Sequence, residues 1–184
     1  MNKTLSVLTL ATACIAIALT GCQGCSKTEA AADAAPAVPV KRFTGLGVTF
    51  ELPTAFKAEL VTDNPELHQI AVGQIEGAGI QLVLRHFPKK PNTPLDLEAI
   101  TAAEKKGLEE GREAVVTPGK VTVAGKQFDA RILKAAILGF PQTDTIAVPE
   151  IGGRHYLLIM HAADEDADKA KELFDKVLST IGPG

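Results

Sequence analysis

Gly47-Val48-Thr49-Phe50-Glu51-Leu52-Pro53 decides how this chain is read. Val48, Phe50 and Leu52, with Leu46 before them, alternate with Gly47, Thr49 and Glu51, which is the period-two pattern of a strand with one buried face. Pro53 stops it, because proline has no N–H to give to a sheet ladder. Outward from this strand the chain keeps building sheet. Residues 70–75 and 80–87 are apolar segments joined by Glu76-Gly77-Ala78-Gly79, a hairpin signal. The second segment is apolar on both parities (Ile80, Leu82, Leu84; Val83, Phe87), so it is expected to be covered on both faces.

A helix follows. Thr93 reads as its cap, Pro94 as its first position, and Asp96 completes a box-like arrangement with Thr93. Leu97, Ile100, Glu104 and Leu108 mark its turns with Ala103 beside them, and Gly111 closes it. Residues 115–116, 121–123, 128–137, 145–148 and 155–162 read as strands, with Pro118-Gly119, Gly125-Lys126 and Gly152-Gly153 as turn signals. The last helix runs from about Asp164 to Ile181, with Ala167, Ala170, Phe174, Val177 and Ile181 as its buried stripe and Gly182-Pro183 ending it. Strands, a helix, more strands and a helix, joined by short turns, predict one α+β domain over residues 43–184. Its largely antiparallel sheet has about six to seven strands, with helices on both faces.

The opening strand, the segment Tyr156–Met160 and the closing Leu178-Ser179-Thr180-Ile181 resemble the PsbP-type superfamily over roughly residues 43–181. That superfamily includes the extrinsic photosystem subunit, a nuclear Ran-GTPase-binding relative, and bacterial DcrB-like and LpqN-like lipoproteins. Phe56 stands where the family often has an aromatic after the strand-ending proline. The resemblance implies an α/β/α sandwich and a binding or assembly role rather than catalysis.

Upstream, Lys3 precedes an apolar and small-residue run over residues 5–19, followed by Leu19-Thr20-Gly21-Cys22. This is the layout of a secretory signal. The run is shorter than the roughly 20 residues a spanning helix needs, and no flanking charges or aromatic belt follow Cys22. The end resembles the lipobox of bacterial lipoproteins, which implies cleavage between Gly21 and Cys22 and lipid attachment at Cys22. Gln23 after it implies the outer membrane, facing the periplasm, where the host has one. Cys14 leaves with the signal, and Cys25 is either inert or pairs with another molecule. Residues 22–42 are then the lipidated cysteine and an Ala- and Pro-rich tether with too little apolar surface to fold.

The formal charge of −3 becomes −4 once Lys3 leaves with the signal. That acidity argues against a nucleic-acid partner, and seven Phe, one Tyr and no Trp make a base-stacking platform a poor expectation. No cysteine follows Cys25, so the domain is held by its core alone.

Chemistry is sparse. Ser179 is the one serine in residues 43–184, and no nucleophile motif or zinc-protease motif occurs, so no catalytic residue is assigned. Residues 119–127 imitate a phosphate loop but place five residues between the glycines and Gln127 where Ser or Thr is needed; a hairpin explains them better. His68, His86, His155 and His161 read as surface or strand-end histidines, and His155 and His161, six residues apart on one strand, are too distant for one ion. Asp164-Glu165-Asp166-Ala167-Asp168 opens like a calcium loop, but Lys169 and Asp175 occupy its glycine and glutamate positions, so these acids suit the start of a helix. No metal and no cofactor is expected. Arg85-His86-Phe87-Pro88-Lys89-Lys90 beside Thr93 is either an anion seat or a solvated loop. Ile137-Leu138-Gly139-Phe140-Pro141 is either a buried strand end or an apolar loop in which Leu138 and Phe140 contact a partner. The expectation is a membrane-anchored, non-enzymatic envelope protein that binds another protein. The alternatives are a carrier of a small apolar ligand or lipid and, last, an enzyme.

Overall fold

The computed structural model describes residues 39–74, 79–90, 92–108, 114–137 and 139–184. Gly21, Cys22, the tether through residue 38, most of the turn at 76–79, Gly111 and Leu138 lie outside the described residues.

β1 (Val40–Gly45) pairs antiparallel with β2 (Val48–Pro53), and Leu46-Gly47 between them have φ of 53° and 78°. Two central residues with positive φ match the twist of a two-residue hairpin turn. β1 starts three residues ahead of the expected domain boundary, and the Thr54 N–H donates to the Pro39 carbonyl at 3.1 Å. Val48, Phe50 and Leu52 are buried, as their alternation predicts.

β3 (Phe56–Asn64), β4 (Leu67–Gln74) and β5 (Ile80–His86) form a meander. β3 is a strand whose apolar signal is short: Phe56, Ala58 and Leu60 alternate with Lys57 and Glu59, and Val61 then breaks the period ahead of the polar Thr62-Asp63-Asn64. α1 (Leu97–Leu108) is capped by Asp96 rather than Thr93: Asp96 Oδ1 accepts from the Glu98 and Ala99 N–H groups at 3.0 and 3.1 Å. Pro94 therefore precedes the helix. Thr101 is its buried residue, returning its hydroxyl to the Leu97 carbonyl at 2.7 Å, and Ala103 is exposed.

β6 (Val115–Val123), β7 (Lys126–Ile137) and β8 (Phe140–Ala147) form a second meander. β6 runs straight through Pro118-Gly119, where the sequence signals a turn. An edge strand tolerates a proline whose missing N–H faces away from its neighbour. The short pair β9 (Glu150–Ile151) and β10 (Arg154–His155) leads into β11 (Leu157–Ala163), so His155 and His161 belong to different strands. A 3₁₀ turn over Asp164–Asp166 opens α2 (Ala167–Thr180), and β12 (Gly182–Pro183) pairs with β2. Ala170, Val177 and Ile181 of the expected stripe are buried and Phe174 is half-buried; fully buried Leu173 joins them, whereas Ala167 is exposed.

The large sheet is ordered β3-β4-β5-β11-β8-β7-β6, with all neighbours antiparallel. One face carries Ile70, Leu82, Leu84, Leu158 and Met160 and packs with Ala170, Leu173, Val177 and Leu178 of α2 and with β2. Each such leucine, fully buried, contributes about 1.5–3 kcal/mol. The opposite parity faces α1, where Leu108 packs with Ala114, Leu133 and Ala135. Arg85 to Glu104 at 3.5 Å and Arg131 to Glu98 tie α1 to this face. Helices on both faces of a seven-stranded sheet agree with the expected architecture. No helix of the described residues is long and apolar enough to cross a membrane.

Candidate functional site

α2 covers only part of its face, and an open-sided groove of about 590 Å³ remains between it and the edge strand β6. Val121, Met160 and Leu178 are buried and Phe174 is half-buried, giving the groove an apolar floor. Lys120 and Lys171 stand at its rim, and Lys171 pairs with Asp175 one helical turn on. The Ala124 N–H donates to the Leu178 carbonyl at 2.9 Å, which pins the β6–β7 turn to the end of α2 and fixes the groove's width there. A smaller hollow of about 300 Å³ lies across α2 beside Phe56, Gln74 and Glu172. Phe174, Leu178, Ser179 and Asp175 are each noted in the sequence for other reasons, and no local signal joins them to Val121 on β6 or Met160 on β11.

The histidines are neither scattered nor uniformly exposed. His86 is buried, its ring centroid is 5.4 Å from that of fully buried Tyr156, and its Nδ1 has no hydrogen-bond partner. Burial, then the Arg154 guanidinium, hold its pKa below the ordinary histidine value; a bond with the His155 backbone works the other way, and His68 adds to the lowering. Tyr156 donates its hydroxyl to the Leu46 carbonyl at 2.8 Å, and burial raises its pKa. Arg154 Nη1 reaches the same carbonyl at 3.5 Å. This cluster clamps the β1–β2 turn.

On the other face of the sheet, His161 Nδ1 lies 2.6 Å from Asp144 Oδ1. The Asp144 bond raises the pKa of His161 against an opposing burial effect. Ser179 is on α2, across the sheet from this pair, and its hydroxyl donates to the Lys176 carbonyl at 3.1 Å. Histidine and serine are thus not brought together. Among the described residues no group of three or more His, Cys, Asp or Glu side chains could hold a metal ion.

The basic stretch at 85–90 is split by strand alternation: Arg85 faces Glu104 and His86 the opposite side, while Lys89 pairs with Glu66. Its charges are thus divided between separate carboxylate partners rather than gathered at one point. Asp166 pairs with Lys169 at 3.5 Å, and Thr143 donates to Asp164 at 3.3 Å. Of the two expected contact residues, Phe140 is 67% exposed beside the β7–β8 turn, which rules out the buried-strand-end reading for it.

Compared with solved structures, the chain matches cyanobacterial PsbP (CyanoP) from Synechocystis sp. PCC 6803 with a TM-score of 0.56 and 15% identity, covering 80% of this chain and 94% of that one. This domain has a PsbP-like fold. A second similar structure, LpqN "involved in cell envelope biogenesis of Mycobacterium tuberculosis", gives a TM-score of 0.39 and 10% identity over 78% of this chain and 90% of that one. No protein-family model and no curated protein matches the sequence. On this scaffold, the groove between α2 and β6 is larger than the hollow beside Phe56 and offers an apolar floor to another molecule.

Proposed function

We propose that this protein is a lipid-anchored envelope lipoprotein whose PsbP-like domain binds another protein and has no enzymatic role. The anchor is a diacylglyceryl group on Cys22 after cleavage behind Gly21, and the location is the outer membrane, facing the periplasm, where the host has one. The observation that carries the binding reading is the groove: it is apolar at its floor, charged at its rim and open along one side. A carrier encloses most of its ligand, whereas an open-sided hollow suits a protein surface. Exposed Phe140 is a second contact, with Leu138 as its neighbour in sequence.

The test places a photoreactive side chain at Phe174 in the full chain and irradiates the native envelope. A reproducible protein adduct supports binding. A lipid adduct instead favours the carrier, and no adduct of either kind removes the groove from function. Mass spectrometry of the mature N-terminus checks the anchor: an unmodified Cys22, or cleavage at another bond, overturns it.

A further inference from the structure

We infer that the free edge of β6 takes up an extended segment of the partner as an added strand, with one large apolar side chain of that segment lying in the groove beside α2. The inference rests on the protein-binding reading above and specifies how the partner is held.

The hydrogen-bond pattern of β6 follows from its turn. Ala124 and Gly125 have φ of 51° and 75° and join Val123 to its partner Lys126, a two-residue hairpin turn. In such a hairpin the flanking pair is doubly bonded, and bonded and non-bonded pairs then alternate along the ladder. Val123 and Val121 therefore bond inward to β7, and Thr122 and Lys120 turn their N–H and C=O groups outward. Among the described residues β6 is the last strand of the sheet on this side, so these four groups face away from it. The next outward position is Pro118, which offers a carbonyl alone. A strand added here is short, and the proline fixes where it stops.

Side-chain geometry agrees. Alternation puts Val121 on the α2 face, so a residue set opposite it on an added strand points at Met160, Phe174 and Leu178. Lys120 points to the other face, where Asp129 is its register partner on β7, and Lys171 is held by Asp175, so neither rim lysine demands a counter-charge. The fitting segment therefore alternates apolar residues toward the groove with polar residues on the opposite face. Main-chain bonds would give affinity and the groove specificity, as in strand addition generally. The opposite edge, β3, is protected by Lys57, Glu59 and Asp63 and by a break in register between Val61 and Asn64.

The test uses the full chain in lipid nanodiscs and a capped heptapeptide, Thr-Val-Glu-Leu-Glu-Val-Thr. Saturable binding is expected, with downfield shifts and slowed exchange of the Lys120 and Thr122 amides. N-methylation of both peptide Glu residues, and separately Thr122→Pro, should each weaken binding at least tenfold. Thr122→Ala, which keeps the backbone donor, should stay within twofold, and the methylated peptide decides the matter if Thr122→Pro fails to fold. No saturable binding, or binding indifferent to both changes, overturns the inference. Dimerisation of the chain abolished by Thr122→Pro also overturns it, in favour of a second copy on the same edge. A protein adduct at position 174 that survives Thr122→Pro leaves protein binding standing and removes strand addition alone. Its absence, with peptide binding intact, removes the protein-binding reading instead.

Discussion

His161 on β11 and Asp144 on β8 sit directly opposite one another in the sheet register, and Nδ1 lies 2.6 Å from Oδ1. A protonated imidazole makes this a charge-assisted bond, which is why the pKa of His161 is raised in the folded protein. The folded state then holds the proton more tightly than the unfolded chain, whose histidine titrates near about 6.5. The stabilisation is fully present below that value and is lost as pH rises through the raised folded pKa. Asp144→Asn should cost about 1–2 kcal/mol at pH 5.5 and much less at pH 8.5. Urea unfolding at the two pH values, with an NMR titration of His161, checks it.

His86 has the opposite sign. Burial lowers its folded pKa, so the unfolded chain takes up the proton first and stability falls as pH drops below about 6.5. His86→Phe removes the unpartnered Nδ1 while keeping a ring beside Tyr156. It also gives up the bond to the His155 backbone, so at pH 7.5 the variant should lie within about 1 kcal/mol of the parent. Relative to the parent it should gain stability at pH 5.5; a variant that loses ground on acidification contradicts the buried neutral histidine.

The clamp on the β1–β2 turn gives a third expectation. Tyr156→Phe loses the bond to the Leu46 carbonyl and should cost about 1 kcal/mol. Gly47→Ala should cost more, because φ there is 78° and an added Cβ collides with Arg154 Nη1. Thermal melts of the two single variants and the double decide whether they act on one turn: the double should lose less than the sum.

Core and surface aromatics and aliphatics separate cleanly. Leu173→Ala should cost about 2–5 kcal/mol, since the side chain is fully buried between α2 and the sheet. Phe140→Ser should change stability by no more than about 0.5 kcal/mol. The same change should reduce the envelope adduct formed from position 174 at least threefold. Equal adduct yield from both proteins removes Phe140 from the contact surface.

Strand alternation made β2, β5 and β7 legible, because each packs one or both faces on a large apolar surface. β3 was not legible, since its alternation lasts only from Phe56 to Leu60 and then gives way, on an exposed edge, to Val61 and a polar run. Pro118-Gly119 misread as a turn for a related reason: proline's usual meaning reverses on an edge whose outward N–H has no partner. At α1, Thr93 and Asp96 both satisfy the composition of a cap, and only backbone geometry selects Asp96. The groove was least legible. It is a gap between two elements, and a gap leaves no periodicity in either. The Asp144–His161 pair is invisible for the same reason, being set by register between strands rather than by spacing along one.

The hairpin at the start of the domain also determines how the domain bears mechanical load. Force arriving through the chain ahead of Pro39 enters at Val40, whose register partner is Pro53, at the end of the hairpin opposite its turn. The first bond it meets is the Thr54–Pro39 contact, and each later pair of β1 and β2 is reached in turn. Pulling therefore peels the strand like a zipper, breaking bonds singly at low force instead of shearing all of them together. β1 can detach and re-zip at forces that leave the seven-stranded sheet folded, so the entry hairpin yields before the core does.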